Sequence, residues 1–310
     1  MPLQYDEIGR RLRAFRLGSG MSTDEVADRL GISRTALYRF EKGELAKIET
    51  LERLSELLQV SLATLLGVGI EYIHSAVSYF ERVRQLEETA EHIVALSGPI
   101  SFLLASDNFE MALDQVLRES IPDGLPDRNK LRGDVDKIME ILHERKKAYR
   151  VRRPPIVNLI SAMQIEPFLK NGLTGRVDLP ESKRAMRREL ARAEIEHFAN
   201  VIEEESIGVQ IGLVTDSLPH TGFQIFRRRA GDTLMISPFR LGEQPNIRLG
   251  VAMATSAPEA LALHDGVVKE VWRTAVKGRS AATYLRGLIA SNKPDLGKST
   301  RQQADMNARR

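Results

Sequence analysis

The spacing of apolar residues changes several times along the chain, and the changes divide it. Between residues 22 and 43, Val26, Ala27 and Leu30 recur at helical spacing, then Ala36, Leu37 and Phe40 do the same, with Gly31 between the two sets. This pattern predicts two short amphipathic helices joined by a tight turn. Ser22 and Ser33 stand where each helix would begin, each able to accept a backbone N–H that the first turn leaves unpaired. Glu25 completes an S-x-x-E capping box with Ser22, and Asp24 suits the positive end of the dipole. At Gly31 the chain needs a left-handed residue, where a side chain would be disfavoured. Ile32 is left to pack between the helices, while Arg34, Thr35, Tyr38 and Arg39 face outward.

After Gly67-Val68-Gly69 the period lengthens. Ile73, Val77, Phe80, Val83, Leu86, Ala90, Ile93 and Leu96 recur every three or four places, which predicts one helix of about seven turns over Glu71–Leu96. Its other face carries Glu71, Glu81, Arg82, Arg84, Glu87, Glu88 and Glu91. Such a stripe either packs on its own domain or forms a dimerising connector, and the pattern alone leaves both open.

Residues 97–290 alternate strand-like and helix-like segments, which predicts an α/β or α+β domain. The expected strands are Ile100–Ala105, Ile156–Met163, Val209–Thr215, Phe223–Arg227, Thr233–Ser237 and Ile247–Thr255. The expected helices are Phe109–Glu119, Lys130–Tyr149, Glu181–Glu205, Pro258–Val276 and Ala281–Ile289, the fourth opened by Ser256 as N-cap. Pro122–Asp127 and Gly172–Pro180 read as loops. Ser291–Arg310 lacks apolar periodicity, holds five cations against two acids, and reads as a flexible basic tail.

Residues 8–66 closely resemble the helix-turn-helix domain of the XRE (phage-repressor-like) family of transcriptional regulators. The resemblance rests on the lead-in Ile8-Gly9-Arg10-Arg11-Leu12-Arg13-Ala14-Phe15-Arg16, the helix pair, Glu41-x-Gly43 and the closing segment Leu51–Leu66. It implies five short helices, base contacts by Arg34, Thr35 and Arg39, and a structural ion pair between Arg16 and Glu41. Tyr38 and Lys42 are placed to touch phosphates. At one position the chain departs from the family, which has Gln directly after the Ser opening the second helix. Here Thr23 takes that place, with a shorter reach to the DNA backbone. XRE-type heads act as dimers on paired half-sites about 34 Å apart, so the resemblance also implies a homodimer on double-stranded DNA.

The expected architecture is therefore an all-α N-terminal helix-turn-helix domain (1–68), a connector or dimerisation helix (69–96), a C-terminal α/β or α+β effector-sensing domain (97–290) and the tail (291–310). The order of elements in the third part distantly resembles effector-sensing domains of bacterial regulators, degenerate phospholipase-D-like ones among them. The catalytic H-x-K-x-x-x-x-D motif of that family is absent, because His264 is followed by Asp265 and Gly266.

Charge changes the picture less than a DNA-binding reading would suggest. The chain carries a net +3, yet residues 1–68 hold ten Arg or Lys against ten Asp or Glu. Binding then depends on where individual cations sit, on helix N-termini and on doubling of contacts by dimerisation. With no cysteine, thiol redox chemistry and thiolate metal sites are excluded. No run reaches the ~18 apolar residues of a membrane span, and the N-terminus has no apolar signal region, so a cytoplasmic protein, from a prokaryotic host by the family resemblance, is expected.

The six histidines form no H-x-x-x-H or H-E-x-x-H pattern, and Glu196-His197 reads as solvated. Nucleophile elbow, phosphate loop and dinucleotide fingerprint are all missing. No enzyme activity, cofactor or metal is expected. The candidate for a second function is the loop within Leu234–Gly250, where Ser237, Arg240, Gln244, Asn246 and Arg248 could hold a small anionic or hydrogen-bonding effector, with Ser106, Asp107 and Asn108 as a neighbouring polar loop. Arg227-Arg228-Arg229 reads as an exposed hairpin turn. Two alternatives stay open: a repressor or antitoxin-like regulator whose C-terminal domain serves only assembly or protein partners, and an enzyme fused to a DNA-binding head.

Overall fold

The computed structural model describes residues 4–44, 46–176, 178–216, 221–242 and 244–292. Five helices come first: α1 (Tyr5–Ser19), α2 (Thr23–Leu30), α3 (Arg34–Glu41), α4 (Ile48–Leu57) and α5 (Leu62–Leu66). There follow β1 (Ile70–Ile73), α6 (Ala76–Thr89), β2 (His92–Ser97), a 3-10 turn at Phe102–Leu104, α7 (Asp107–Glu119), α8 (Arg128–Arg152), β3 (Ile156–Ser161), α9 (Ala162–Asn171) and α10 (Glu181–Glu203). The chain closes with β4 (Val209–Val214), β5 (Phe223–Arg227), β6 (Thr233–Ile236), β7 (Ala252–Thr255), α11 (Pro258–Thr274), β8 (Val276–Lys277) and α12 (Gly278–Ser291). From Lys293 onward the expected basic tail lies outside the described residues, as does His220. No helix among the described residues is long and apolar enough to cross a membrane.

The head is built as its caps predict. Ser22 accepts the Glu25 N–H at 3.1 Å and Ser33 the Ala36 N–H at 3.1 Å, and Gly31 ends α2 at φ +64. Only half of the capping box forms, because the Glu25 carboxylate takes Arg29 at 2.9 Å. Val26, Ala27, Leu30 and Leu37 are buried against Leu12 and Phe15 of α1 and Leu51 and Leu54 of α4.

Behind the head stands one mixed sheet of eight strands in the order β1-β7-β6-β5-β2-β3-β4-β8. Its centre, β2-β3-β4, is parallel, and the flanking pairs are antiparallel. One face packs into a core shared with the head and with α6 to α10 and α12, and α11 covers part of the other, over Leu96, Leu159, Phe223, Ile225 and Leu234. The fold is thus a helical N-terminal region followed by a C-terminal domain of helices on a mixed sheet.

Residues 69–96 correct the expected connector. Instead of one long helix the segment folds as strand, helix, strand. Ile70–Ile73 alternates exposed and buried beside β7, and Ile93–Leu96 is a run buried on both faces at the centre of the sheet, a pattern that helical spacing mimics over so few residues. Part of the polar face of the helix is also taken from solvent: Glu81, Arg82, Gln85 and Glu87 are buried, and α1 and α8 pack against α6.

Four further expectations shift. The run Ile100–Ala105 is buried as a 3-10 turn rather than a strand, and the strand expected over Ile247–Thr255 shortens to β7. The strand expected to run to Met163 stops at Ser161, where α9 begins despite Pro167 inside it. The fourth predicted helix starts at Pro258 as expected, but Ala257 and not Ser256 stands at its cap, with the Ala257 N–H donated to Thr255 Oγ1 at 3.2 Å, and the helix ends at Thr274.

Candidate nucleic-acid interface

Helix α3 presents its outer face because its inner one is taken. Leu37 is fully buried, whereas Arg34, Thr35, Tyr38, Arg39 and, just beyond, Lys42 are exposed. The helix is held against α1 at very short range. A Cβ on Gly9 would meet the Phe40 carbonyl oxygen at 2.6 Å and the Gly43 nitrogen at 2.7 Å, both backbone atoms that cannot swing aside. Gly9→Ala is therefore expected to destabilise the head by about 1–2 kcal/mol, the usual cost of overpacking. Chemical denaturation followed by circular dichroism checks this, and an unchanged midpoint would mean the two helices can separate without cost.

The Arg16–Glu41 pair that the family resemblance implied is present. Arg16 Nη2 donates to Glu41 Oε2 at 3.0 Å with both side chains nearly buried, tying α1 to the end of α3. The outward residues have partners of a looser kind. Arg34 Nε lies 3.4 Å from Asp24 Oδ1, and the Arg39 Nε donates to Glu44 Oε2 at 2.7 Å. Lys42 Nζ sits 5.6 Å from the centroid of the Tyr38 ring. Hydrogen bonds to Glu44 and its charge raise the pKa of Arg39, so its side chain stays cationic.

Thr23, Arg34, Thr35, Tyr38 and Lys42 line one wall of an open cleft of about 1150 Å³. Arg39 points to one side, toward Glu44. The opposite wall comes from the second domain: Arg84 and Glu88 of α6, and Lys137, Glu140 and Glu144 of α8. Sequence reasoning missed this wall. Residues 137, 140 and 144 share one face of α8 by spacing, but nothing in the sequence says which element that face looks at.

The junction that sets the two walls against each other is a buried ionic cluster. Arg82, 1% exposed, donates from Nε to Glu71 Oε1 at 2.8 Å, from Nη2 to Glu71 Oε2 at 3.2 Å, and from Nη1 to Gln85 Oε1 at 2.7 Å. Arg11 of α1 reaches the same Glu71 at 3.0 Å, and Glu7 of α1 accepts from Arg228 at 2.8 Å. Arg228 thus corrects the reading of its turn as exposed: Arg229 is solvated, but Arg228 is buried beneath the head. Burial pushes the Glu7 carboxyl up, yet the charges of Arg82 and Arg228 outweigh it and hold the pKa below the usual range. The Gln85 amide adds a bond to the Arg10 carbonyl at 3.0 Å, and Ser78 of α6 donates to the Ala14 carbonyl at 3.1 Å.

The expected effector loop is largely engaged with itself. Asn246 donates to the carbonyls of Pro238 and Leu249 at 3.1 and 2.7 Å and accepts the Leu249 N–H at 3.1 Å. Arg240 donates to the Gln244 carbonyl at 2.8 Å, and Ser237 Oγ accepts the Phe239 N–H at 2.9 Å. Arg248 is exposed. The neighbouring polar loop is likewise tied elsewhere, Ser106 to Glu194 and Asp107 to Lys146 at 3.0 Å. His197, expected in solvent, bonds the Leu104 carbonyl at 2.9 Å.

No curated protein matches this chain in sequence at a significant level. Among solved structures, the chain is similar to TrmBL2, an archaeal chromatin protein whose structure is described as showing a novel mode of DNA binding, at 12% identity and a TM-score of 0.30, covering 86% of this chain and 92% of that one. Residues 7–68 match the family model described as a helix-turn-helix domain. The first of the two regions is a helix-turn-helix domain, with α2 and α3 as its helix pair.

Proposed function

We propose that the protein is a sequence-specific DNA-binding transcription regulator of the XRE type, acting as a homodimer and without enzymatic activity. The observation that carries this reading is the exposed outer face of α3, where Arg34, Thr35 and Tyr38 stand beside Lys42 on a helix-turn-helix head. Arg34, Thr35 and Arg39 read base edges in the major groove, Tyr38 and Lys42 hold phosphates, and Thr23 reaches the backbone from the start of α2. Control by a small effector of the second domain would run through the buried junction, and only if the effector binds two placements of the head with unequal affinity.

The test is selection of bound sequences from a random duplex pool by the purified full chain. Enrichment of a palindrome with half-sites spaced by whole helical turns supports the reading, and recovery of random sequence overturns it.

The cleft adds a prediction about affinity. Glu140 and Glu144 place two carboxylates across from the reading helix, where they oppose phosphates entering the cleft. Glu140→Gln combined with Glu144→Gln is expected to tighten binding to operator and random duplex alike by roughly three- to tenfold at low salt, with the gain shrinking as salt screens it. Fluorescence anisotropy over a salt series measures this. Equal affinities at low salt would place α8 clear of the bound duplex.

A further inference from the structure

The two edges of the sheet are unequal. At one end β8 is a two-residue strand, and its Lys277 lies 5.0 Å from the Trp272 ring, so that edge is short and charged, as guarded edges are. At the other end stands β1, paired on one side with β7; among the described residues no strand pairs with its outer side. Its one charge, Glu71, points into the chain and is neutralised there by Arg82 and Arg11, so it does not repel an incoming strand.

The outer face at this corner is apolar and uncovered. Ile70 is 43% and Tyr72 53% exposed; Tyr72 lies beside Met253 in register, and Val251 and Leu249, which lead into β7, are 52% and 64% exposed. Helix α11 covers the same face over Leu96, Phe223 and Leu234, farther along the sheet. Exposed apolar side chains gathered at one end of a sheet face are of the kind that marks an interaction site.

We infer that this corner is where a second copy of the chain docks, β1 pairing antiparallel with β1 of its mate about a twofold axis near Glu71, so that Ile70 of each copy lies beside Tyr72 of the other. The inference rests on the dimeric reading above and names the surface that makes the dimer. Pairing lets Ile70 and Tyr72 of one copy cover each other's exposed side chains across the strand edge, and gives partners to the outward N–H and C=O groups of both β1 strands. An isologous contact needs one self-complementary patch, and an antiparallel strand edge is one. The choice of occupant also follows from chain order. β1 begins three residues after α5, so pairing here joins the chains directly beneath the two heads, and a head whose own charges cancel needs the second one.

The test is the mass of the full chain in solution without DNA, by light scattering after gel filtration. The natural chain is expected to be a dimer, the Ile70→Lys/Tyr72→Lys variant a monomer, and Leu263→Lys, on the exposed side of α11, a dimer. A monomeric natural chain, a dimer that survives Ile70→Lys/Tyr72→Lys, or a dimer lost in Leu263→Lys would each overturn the inference. Should the lysine variant fail to fold, a mixture of Ile70→Cys and Tyr72→Cys proteins decides, since the natural chain has no cysteine. A mixed disulfide on mild oxidation supports the pairing, and its absence overturns it. A dimer that selects no DNA sequence would overturn the regulator reading alone, a dimer that selects a palindrome and survives Ile70→Lys/Tyr72→Lys would overturn the pairing alone, and a monomer would overturn the pairing together with the homodimer.

Discussion

Replacing Arg82 with Met is expected to destabilise the chain by about 3–5 kcal/mol, the cost of removing one partner from a buried ion pair. The side chain is buried and is held by Glu71 through two hydrogen bonds and by Gln85 through a third. Burial by itself lowers the pKa of Arg82, but the charges of Glu71 and Glu7 more than reverse that, so the group is cationic in the fold. Once it is removed, Arg11 is left as the arginine on Glu71, and Glu7 loses one of the three charges, those of Arg82, Arg228 and Arg11, that lower its pKa. Arg82→Lys should restore little, because an ammonium cannot span Glu71 and Gln85 as the planar guanidinium does. The pH dependence follows in sign. Glu7 has a folded pKa below its unfolded value, so its contribution is present above the unfolded value and is lost as pH falls through the depressed one. In Arg82→Met that acid-labile share is expected to shrink. Urea unfolding at neutral pH and over a series of acidic pH values carried below the ordinary carboxylate range, with limited proteolysis between α5 and β1 to report release of the head, measures both effects. An unfolding midpoint equal to that of the natural chain would show that the junction contributes nothing net.

How much of this was legible beforehand depends on whether a signal is local. The helix pair was, because Ser22, Gly31 and Ser33 act within three residues of themselves, through caps and a left-handed turn that the chain spells out. Most of the later strands and helices were legible for the same reason, with ends displaced by a few residues. The segment 69–96 was not. Charged residues at helical spacing signal a wet face only if no other element brings matching charges to it, and the partners of Arg82 and Glu7 arrive from Glu71 and from Arg228, more than two hundred residues from Glu7. The second wall of the cleft failed for a similar reason, since the face of α8 that carries Glu140 and Glu144 is defined only once the fold sets it opposite α3. The polar residues around Asn246 were visible as a group, but whether such groups bind a ligand or their own backbone is decided by loop geometry.

Arg39→Ala and Lys42→Ala are expected to weaken DNA binding in different ways, and the difference tests the roles assigned to α3. An arginine that makes a bidentate contact to a base edge contributes to one sequence position, so Arg39→Ala should weaken the selected site by roughly 10–100-fold and random duplex far less, flattening the preference at one base pair. A lysine on a phosphate carries no sequence information, so Lys42→Ala should weaken both duplexes alike and reduce the salt slope by about one counterion. Both side chains are solvent-exposed in the free protein, so neither substitution should lower stability enough to confuse the comparison. The free-state pairing of Arg39 with Glu44 supplies an internal control. If Arg39 leaves Glu44 to reach a base, Glu44→Gln should tighten the selected site; if Glu44 aims the guanidinium at that base, the same change should lower discrimination without tightening binding. Affinities of the four proteins for selected and random duplexes across a salt series separate these outcomes. Equal losses on both duplexes for Arg39→Ala would remove it from base recognition and leave Arg34 and Thr35 as the readers.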